Sequence, residues 1–183
     1  MKYLTEYINI KVKPSLIHAD NKTIQNIMVD EVKRLGKTAD FNHVDTSKVT
    51  SFHNLFNTDK EDGGHNIFEK FNGDISKWNT SNVEDMGYCF YWCYEFNCDI
   101  SNWDVSKVTD FEAMFHKCKK FNQPIGKWNI SKAQNMFAIL AFCDSFYQDL
   151  SSWDLKNVKK KASILYKSEL MLKNKKYQPI NGY

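Results

Sequence analysis

The residues of this sequence with chemistry to offer are five cysteines, five histidines and a recurrent set of carboxylates. Cys93, Cys118 and Cys143 are spaced by 25 residues, with Cys89 and Cys98 beside the first of them. Three equivalent thiols could ligate a metal. If they sit on equivalent helices of successive turns, however, they lie a helix width apart, about 8–10 Å, too far to share one zinc with bonds of about 2.3 Å. No CxxC pair or zinc-like histidine spacing appears, so buried, reduced thiols are the expectation. His18, His43, His53, His65 and His116 are scattered, and none adjoins a nucleophile motif, a phosphate loop, GxSxG or HExxH. Asp74, Asp99 and Asp149, with Asn79, Asp104, Asn129 and Asp154, could belong to calcium or carbohydrate-type sites. Their recurrence in register is explained more simply by turn and cap bonding to backbone amides, as is a ladder of Asn72, Asn97 and Asn122. No catalytic constellation, metal site or cofactor motif emerges, and the chain is read as a non-enzyme.

Binding residues are sought where the repeat breaks. Tyr91, Trp92 and Tyr94 stand where other copies carry His116, Lys117 and Lys119, or Ala141, Phe142 and Asp144. Aromatics of this kind are enriched in protein interfaces, although they could pack under an insertion from about Asn57 to Lys70. Lys156, Lys159, Lys160, Lys161, Lys167, Lys173, Lys175 and Lys176 face the single Glu169, so the segment 156–176 carries +7 within a chain of net charge +3. Such an end suits an acidic protein face or nucleic acid, by adhesion to phosphates more than by base readout, since Arg34 is the only arginine.

The elements that must position these residues follow from a repeat. Trp78, Trp103, Trp128 and Trp153 are separated by 25 residues each time. Around them run columns of Phe71, Phe96, Phe121 and Phe146, of Ile75, Ile100, Ile125 and Leu150, and of Val83, Val108, Ala133 and Val158. An imperfect earlier copy over Phe41 to Phe56 has Val44 in the tryptophan place. The spacing Val83, Met86, Cys89, Phe90, Cys93 fits one face of a helix over about 82–93, and Ser81 with Glu84, like Ser131 with Gln134, fits a capping box. Asp74–Trp78 reads as a short strand. A period of 25 lies in the leucine-rich range. The predicted fold is therefore an α/β solenoid, with short parallel strands on one face, short helices on the other and helical caps at both ends.

The strings Phe71-Asn-Gly-Asp-Ile-Ser-Lys-Trp-Asn-Thr-Ser-Asn-Val83 and Phe96-Asn-Cys-Asp-Ile-Ser-Asn-Trp-Asp-Val-Ser-Lys-Val108 resemble the BspA-like bacterial surface-protein repeat, also found in mycoplasma-type lipoproteins. The resemblance covers about residues 40–165. It implies leucine-rich-type turns used for adhesion and recognition, usually behind an export signal or lipid anchor. Met1 to Val12 carries Glu6 within its only apolar stretch and lacks a signal-peptide pattern. The chain is thus similar to short, unsecreted members carried by phages and their hosts, and a cytoplasmic location without a membrane segment is expected.

Three regions result: an N-terminal cap at 1–39, repeats at 40–165 and a basic cap and tail at 166–183. Asp20, the apolar series Ile24, Ile27, Met28, Val32 and Leu35, and Gly36 predict a capped amphipathic helix over the first repeat. A second helix is expected from Ser163 to about Leu172. The functional expectation is recognition of a protein or nucleoprotein partner, with inhibition by occlusion as its sharper form. Nucleic-acid binding through the lysines ranks second, and an exported adhesin third.

Overall fold

The computed structural model describes residues 15–61 and 64–180. The stretch Met1 to Val12 lies outside the described residues, as do Gly182 and Tyr183 at the tail.

The expected α/β solenoid does not form. The described residues hold two strands of two residues each, β1 (Ile17–His18) and β2 (Val44–Asp45), which pair in parallel. They hold two α-helices, α1 (Ile24–Leu35) of 12 residues and α2 (Glu169–Leu172) of four. Three 3-10 turns lie at Asn66–Phe68, Ile125–Lys127 and Lys175–Tyr177. Among the described residues there is neither a strand face nor a helix face: the helix over 82–93 and the strand over Asp74–Trp78 are both absent.

Where the backbone hydrogen bonds go explains the difference. In a helix the Tyr88 N–H would bond four residues back; instead it donates to the Glu112 carbonyl of the next repeat at 2.7 Å. Met86, Phe90 and Trp92 likewise donate to Asp110, Met114 and His116, each at 2.9 Å. The intervening Cys89 and Cys93 amides bond three residues back, to Met86 and Phe90, closing two successive four-residue turns. The third residue of each turn has positive φ, 56° at Tyr88 and 62° at Trp92, as a type II turn requires. Ala113 and Lys117, Ala138 and Phe142, and Ser163 and Lys167 repeat the pattern. Two turns in tandem bury Val83, Met86, Cys89, Phe90 and Cys93 together. That is the inward set a helix would give, so periodicity alone could not separate the two. The capping boxes are not made; the Ser81 amide and hydroxyl both donate to the Asn79 side chain.

Short polar side chains hold the rest of each repeat. Asp74, Asp99 and Asp149 accept the amides of Ser76, Ser101 and Ser151, and Asn79, Asp104, Asn129 and Asp154 accept those of Ser81, Ser106, Ser131 and Lys156. Each is a side chain bonding its own backbone two residues on. The asparagine ladder is present: Asn97 N–H donates to the Asn72 side chain, Asn122 N–H to Asn97, and Tyr147 N–H to Asn122, at 2.8–2.9 Å. Single parallel bridges join Ser51, Asp85, Asp110, Asn135 and Lys160 in turn. The first step spans 34 residues because it contains the insertion, and the same offset sets Val44 in register with Trp78.

The core is built of columns. Phe90 and Phe115 stack at 5.7 Å, Phe96 and Phe121 at 5.9 Å, Phe121 and Phe146 at 5.8 Å, and Trp78 and Trp103 at 6.5 Å. Each fully buried ring contributes roughly 1.5–3 kcal/mol. The indole N–H groups of Trp78, Trp103 and Trp128 donate to the Phe41, Ile75 and Ile100 carbonyls. At the N-terminal end α1 begins where the Asp20 side chain accepts the Lys22 and Thr23 amides, and ends at Gly36 with φ 91°. Ile24, Met28 and Val32 are buried beneath it, and Glu31 bonds both Arg34 and the buried His43. The second expected cap helix shrinks to α2, with Met171 buried.

Candidate functional site

The cysteine column lies in the core. The Cys93, Cys118 and Cys143 thiols donate to the Phe56, Phe90 and Phe115 carbonyls at 2.9, 3.0 and 3.0 Å. Because no helices separate the repeats, the helix-width spacing used to set these thiols apart does not apply. Burial decides the matter instead: it pushes Cys93 and Cys118 well above the ordinary thiol range, and Cys143 in the same direction. A thiolate, the form a metal binds, is therefore disfavoured. Ser168 continues the column, its hydroxyl donating to the Leu140 carbonyl.

The repeat-breaking aromatics sit together on the tandem turns. Tyr91 lies 5.9 Å from Trp92, and Trp92 lies 6.2 Å from Tyr94. All three are half-buried. The insertion meets them, since the Thr58 amide and hydroxyl donate to the Tyr91 and Trp92 carbonyls. Burial, and then the charge of Glu69, raises the Tyr94 phenol.

Beyond these three, the same face continues through residues that single positions did not reveal. At the second positive-φ position of each repeat stand Trp92, Lys117, Phe142 and Lys167, aromatic and cation in alternation. The Lys117 ammonium lies 3.7 Å from the Trp92 ring centroid and 5.8 Å from that of Phe142, while Lys167 lies 5.5 Å from Phe142 and 5.6 Å from Tyr166. Lys119 lies 5.6 Å from Tyr94. One residue earlier run Tyr91, His116, Ala141 and Tyr166; His116 touches Tyr91 at 5.0 Å and, across to the first file, Phe142 at 5.1 Å, and Phe142 in turn meets Tyr166 at 5.4 Å. Burial, then the neighbouring Lys117, pushes His116 down to about 4. At neutral pH it is an uncharged ring in an aromatic surface whose positive charge comes from lysines. Among the described residues, Lys117, Lys119 and Lys167 form no ion pair with a carboxylate. Reading position 92 together with positions 117, 142 and 167 would have exposed the alternation in the sequence.

The expected lysines divide into two groups. Lys156, Lys159 and Lys160 are exposed on the last repeat, and Lys161 is half-buried. Lys156 lies 3.4 Å from Asp154, and Lys159 bonds the Gln134 side chain. Lys173, Lys175 and Lys176 are exposed on the C-terminal cap, with Lys173 3.9 Å from Glu169. Such exposed pairs contribute little, roughly 0–1 kcal/mol each. Lys159 and Lys160 also border a shallow polar recess of about 250 Å³ with Thr109, Asp110, Gln134 and Asn135. Near it Glu112 accepts from Tyr88 and Asn135; although burial opposes it, these donors hold the Glu112 carboxyl below its usual range.

No helix among the described residues is long and apolar enough to cross a membrane. No curated protein and no solved structure matches the chain. A family model does: residues 62–177, most of the repeats and the basic cap, match the one described as "Mycoplasma protein of unknown function, DUF285". With well over half of its length matched, the chain belongs to that family.

Proposed function

We propose that the chain is a non-enzymatic recognition module that binds a protein or nucleoprotein partner through its aromatic–lysine face and acts by occluding it. The observation that carries this reading is the file Trp92, Lys117, Phe142 and Lys167. Rings held in place by neighbouring repeats lose little conformational freedom on binding, and lysines without carboxylate partners favour an acidic counterpart. The likeness to BspA-like repeats, which serve adhesion and recognition, supports the same class of function. An inhibitor encoded by a phage or its host is the specific form proposed. A pull-down from host lysate tests it, using the wild type, Trp92→Ala and the triple variant Lys159→Ala, Lys160→Ala, Lys161→Ala. Loss of a captured protein with Trp92→Ala supports the face. Identical capture by all three overturns it.

A second reading rests on the exposed Lys156, Lys159, Lys160, Lys173, Lys175 and Lys176, which would neutralise phosphates. It expects retention on heparin at low salt, lost steeply as salt rises. Absence of retention dismisses it.

A further inference from the structure

The third tryptophan repeat departs from its neighbours outside the tandem-turn segment. Where the other repeats place Asp74, Asp99 and Asp149, this one has Pro124; where they place Ser76, Ser101 and Ser151, it has Gly126. The aspartate-to-serine turn is therefore missing, and a 3-10 turn over Ile125–Lys127 replaces it. A side chain could not return at Gly126, because a Cβ there would stand 2.0 Å from the Asp149 carbonyl oxygen.

Two further observations fall at the same place. A cleft of about 420 Å³ opens between the flanking turns, within the usual size of small-molecule sites, about 300–1,000 Å³. Next in the chain to the lining residues Ser151 and Ser152, the Trp153 indole is fully buried, and its N–H has no partner among the described residues. Trp103 and Trp128 donate to the carbonyl 28 residues back; for Trp153 that residue is Ile125, beside the missing turn. The irregularity thus reaches from the surface into the core.

The lining identifies the chemistry. Asn102, Lys127, Gln148 and Asp149 contribute amides, one cation and one carboxylate, and Ser101, Ser151 and Ser152 add hydroxyls. The Ser152 hydroxyl donates to the Gly126 carbonyl, and the Gln148 amide donates to Asn122, so part of the wall is fixed in place. Pro124 supplies an apolar patch. Mixed donors and acceptors around a small apolar surface suit a ligand that presents several hydroxyls around a ring with an apolar C–H face. A phosphate fits less well, since Asp149 stands in the wall and its carboxyl, accepting from Ser151, is held below the usual range.

We propose that this cleft is a saccharide-binding site, taking one or two sugar units of a glycan. It goes beyond the recognition role above and stands whether or not the aromatic face holds a protein. The Asn102 and Lys127 side chains are exposed and make no hydrogen bond or ion pair among the described residues, so their truncation should leave the fold intact.

The test is an amide-shift titration of the whole chain with N-acetylglucosamine, galactose, mannose and sialic acid, and separately with inorganic phosphate. The expected result is a saturable shift with at least one sugar, confined to the amides of Gly126, Gln148, Ser151 and their neighbours. The double variant Asn102→Ala, Lys127→Ala, with an unchanged melting temperature, should weaken it by at least about tenfold. Trp92→Ala should leave it unchanged, separating this site from the aromatic face. The proposal is overturned if none of the sugars gives a saturable shift, if the shifts lie elsewhere, if the double variant binds as the wild type does, or if phosphate alone binds.

Discussion

At the scale of the residue, His116 links burial to pH. Its unfolded value is near 6.5, whereas burial, then Lys117, lowers it to about 4 in the fold. The folded state therefore binds fewer protons than the unfolded state between those values. The stability this histidine contributes is complete above pH 6.5 and is lost as pH falls from 6.5 toward 4. Replacing it by glutamine should flatten that part of the stability–pH curve, measured by urea unfolding at several pH values. An equally steep slope in His116→Gln would refute the assignment. Asp99, Asp104 and Asp149, each held low first by the serine it faces, contribute stability above the ordinary carboxylate range that is lost at lower pH, where protonation releases the bonded turns.

At the scale of the element, the tandem turns place a non-glycine residue at positive φ twice in each of the four copies from Tyr88 to Lys167. A left-handed residue with a Cβ costs about 1–2 kcal/mol, and glycine there avoids it at an entropic cost of about 0.5–1 kcal/mol. Ala138→Gly, at φ 54° and with only a methyl group to lose, should therefore raise the melting temperature modestly, by the equivalent of up to about 1 kcal/mol. A clear fall would show that the methyl group's packing outweighs the strain. These turns also mark the limit of what could be read in advance. Helix α1 was legible from Asp20 to Gly36 because its signals are local. The Asp-to-Ser turns and the asparagine ladder were legible because they recur in register. The helix over 82–93 was misread because its inward positions are shared by two linked turns, and the choice rests on carbonyls 24 residues away. The aromatic–lysine face is half legible: Tyr91, Trp92 and Tyr94 stand out as exceptions, whereas Lys117 and Phe142 read as ordinary counterparts of Trp92 and Lys167 as one charge of the basic end, so their alternation along one file does not show. Pro124 and Gly126 were visible as breaks in two columns, but the cleft they leave depends on how closely the Asp149 backbone approaches.

At the scale of the whole molecule, adjacent repeats share both hydrogen bonds and ring contacts, so register governs what deletions are tolerated. Removing residues 111–135 joins Asp110 to Met136, and Asp110 and Asn135 occupy equivalent bridge positions. This variant should fold with one repeat fewer and melt cooperatively at a lower temperature. A deletion of about half that length puts phenylalanine and tryptophan columns out of step and should leave no cooperative transition. If both deletions melt alike, register is not what holds the array. The bonds along the tandem turns have a direction as well: in every pair from Met86 to Trp92 the earlier repeat donates and the later one accepts. On a ribosome, where the chain emerges from its N-terminus, each newly exposed repeat waits with four amides open until its successor arrives. Synthesis and folding are therefore staggered by one repeat along these turns, and a pause in translation within the array would leave the tandem-turn part of the edge presenting donors, not acceptors.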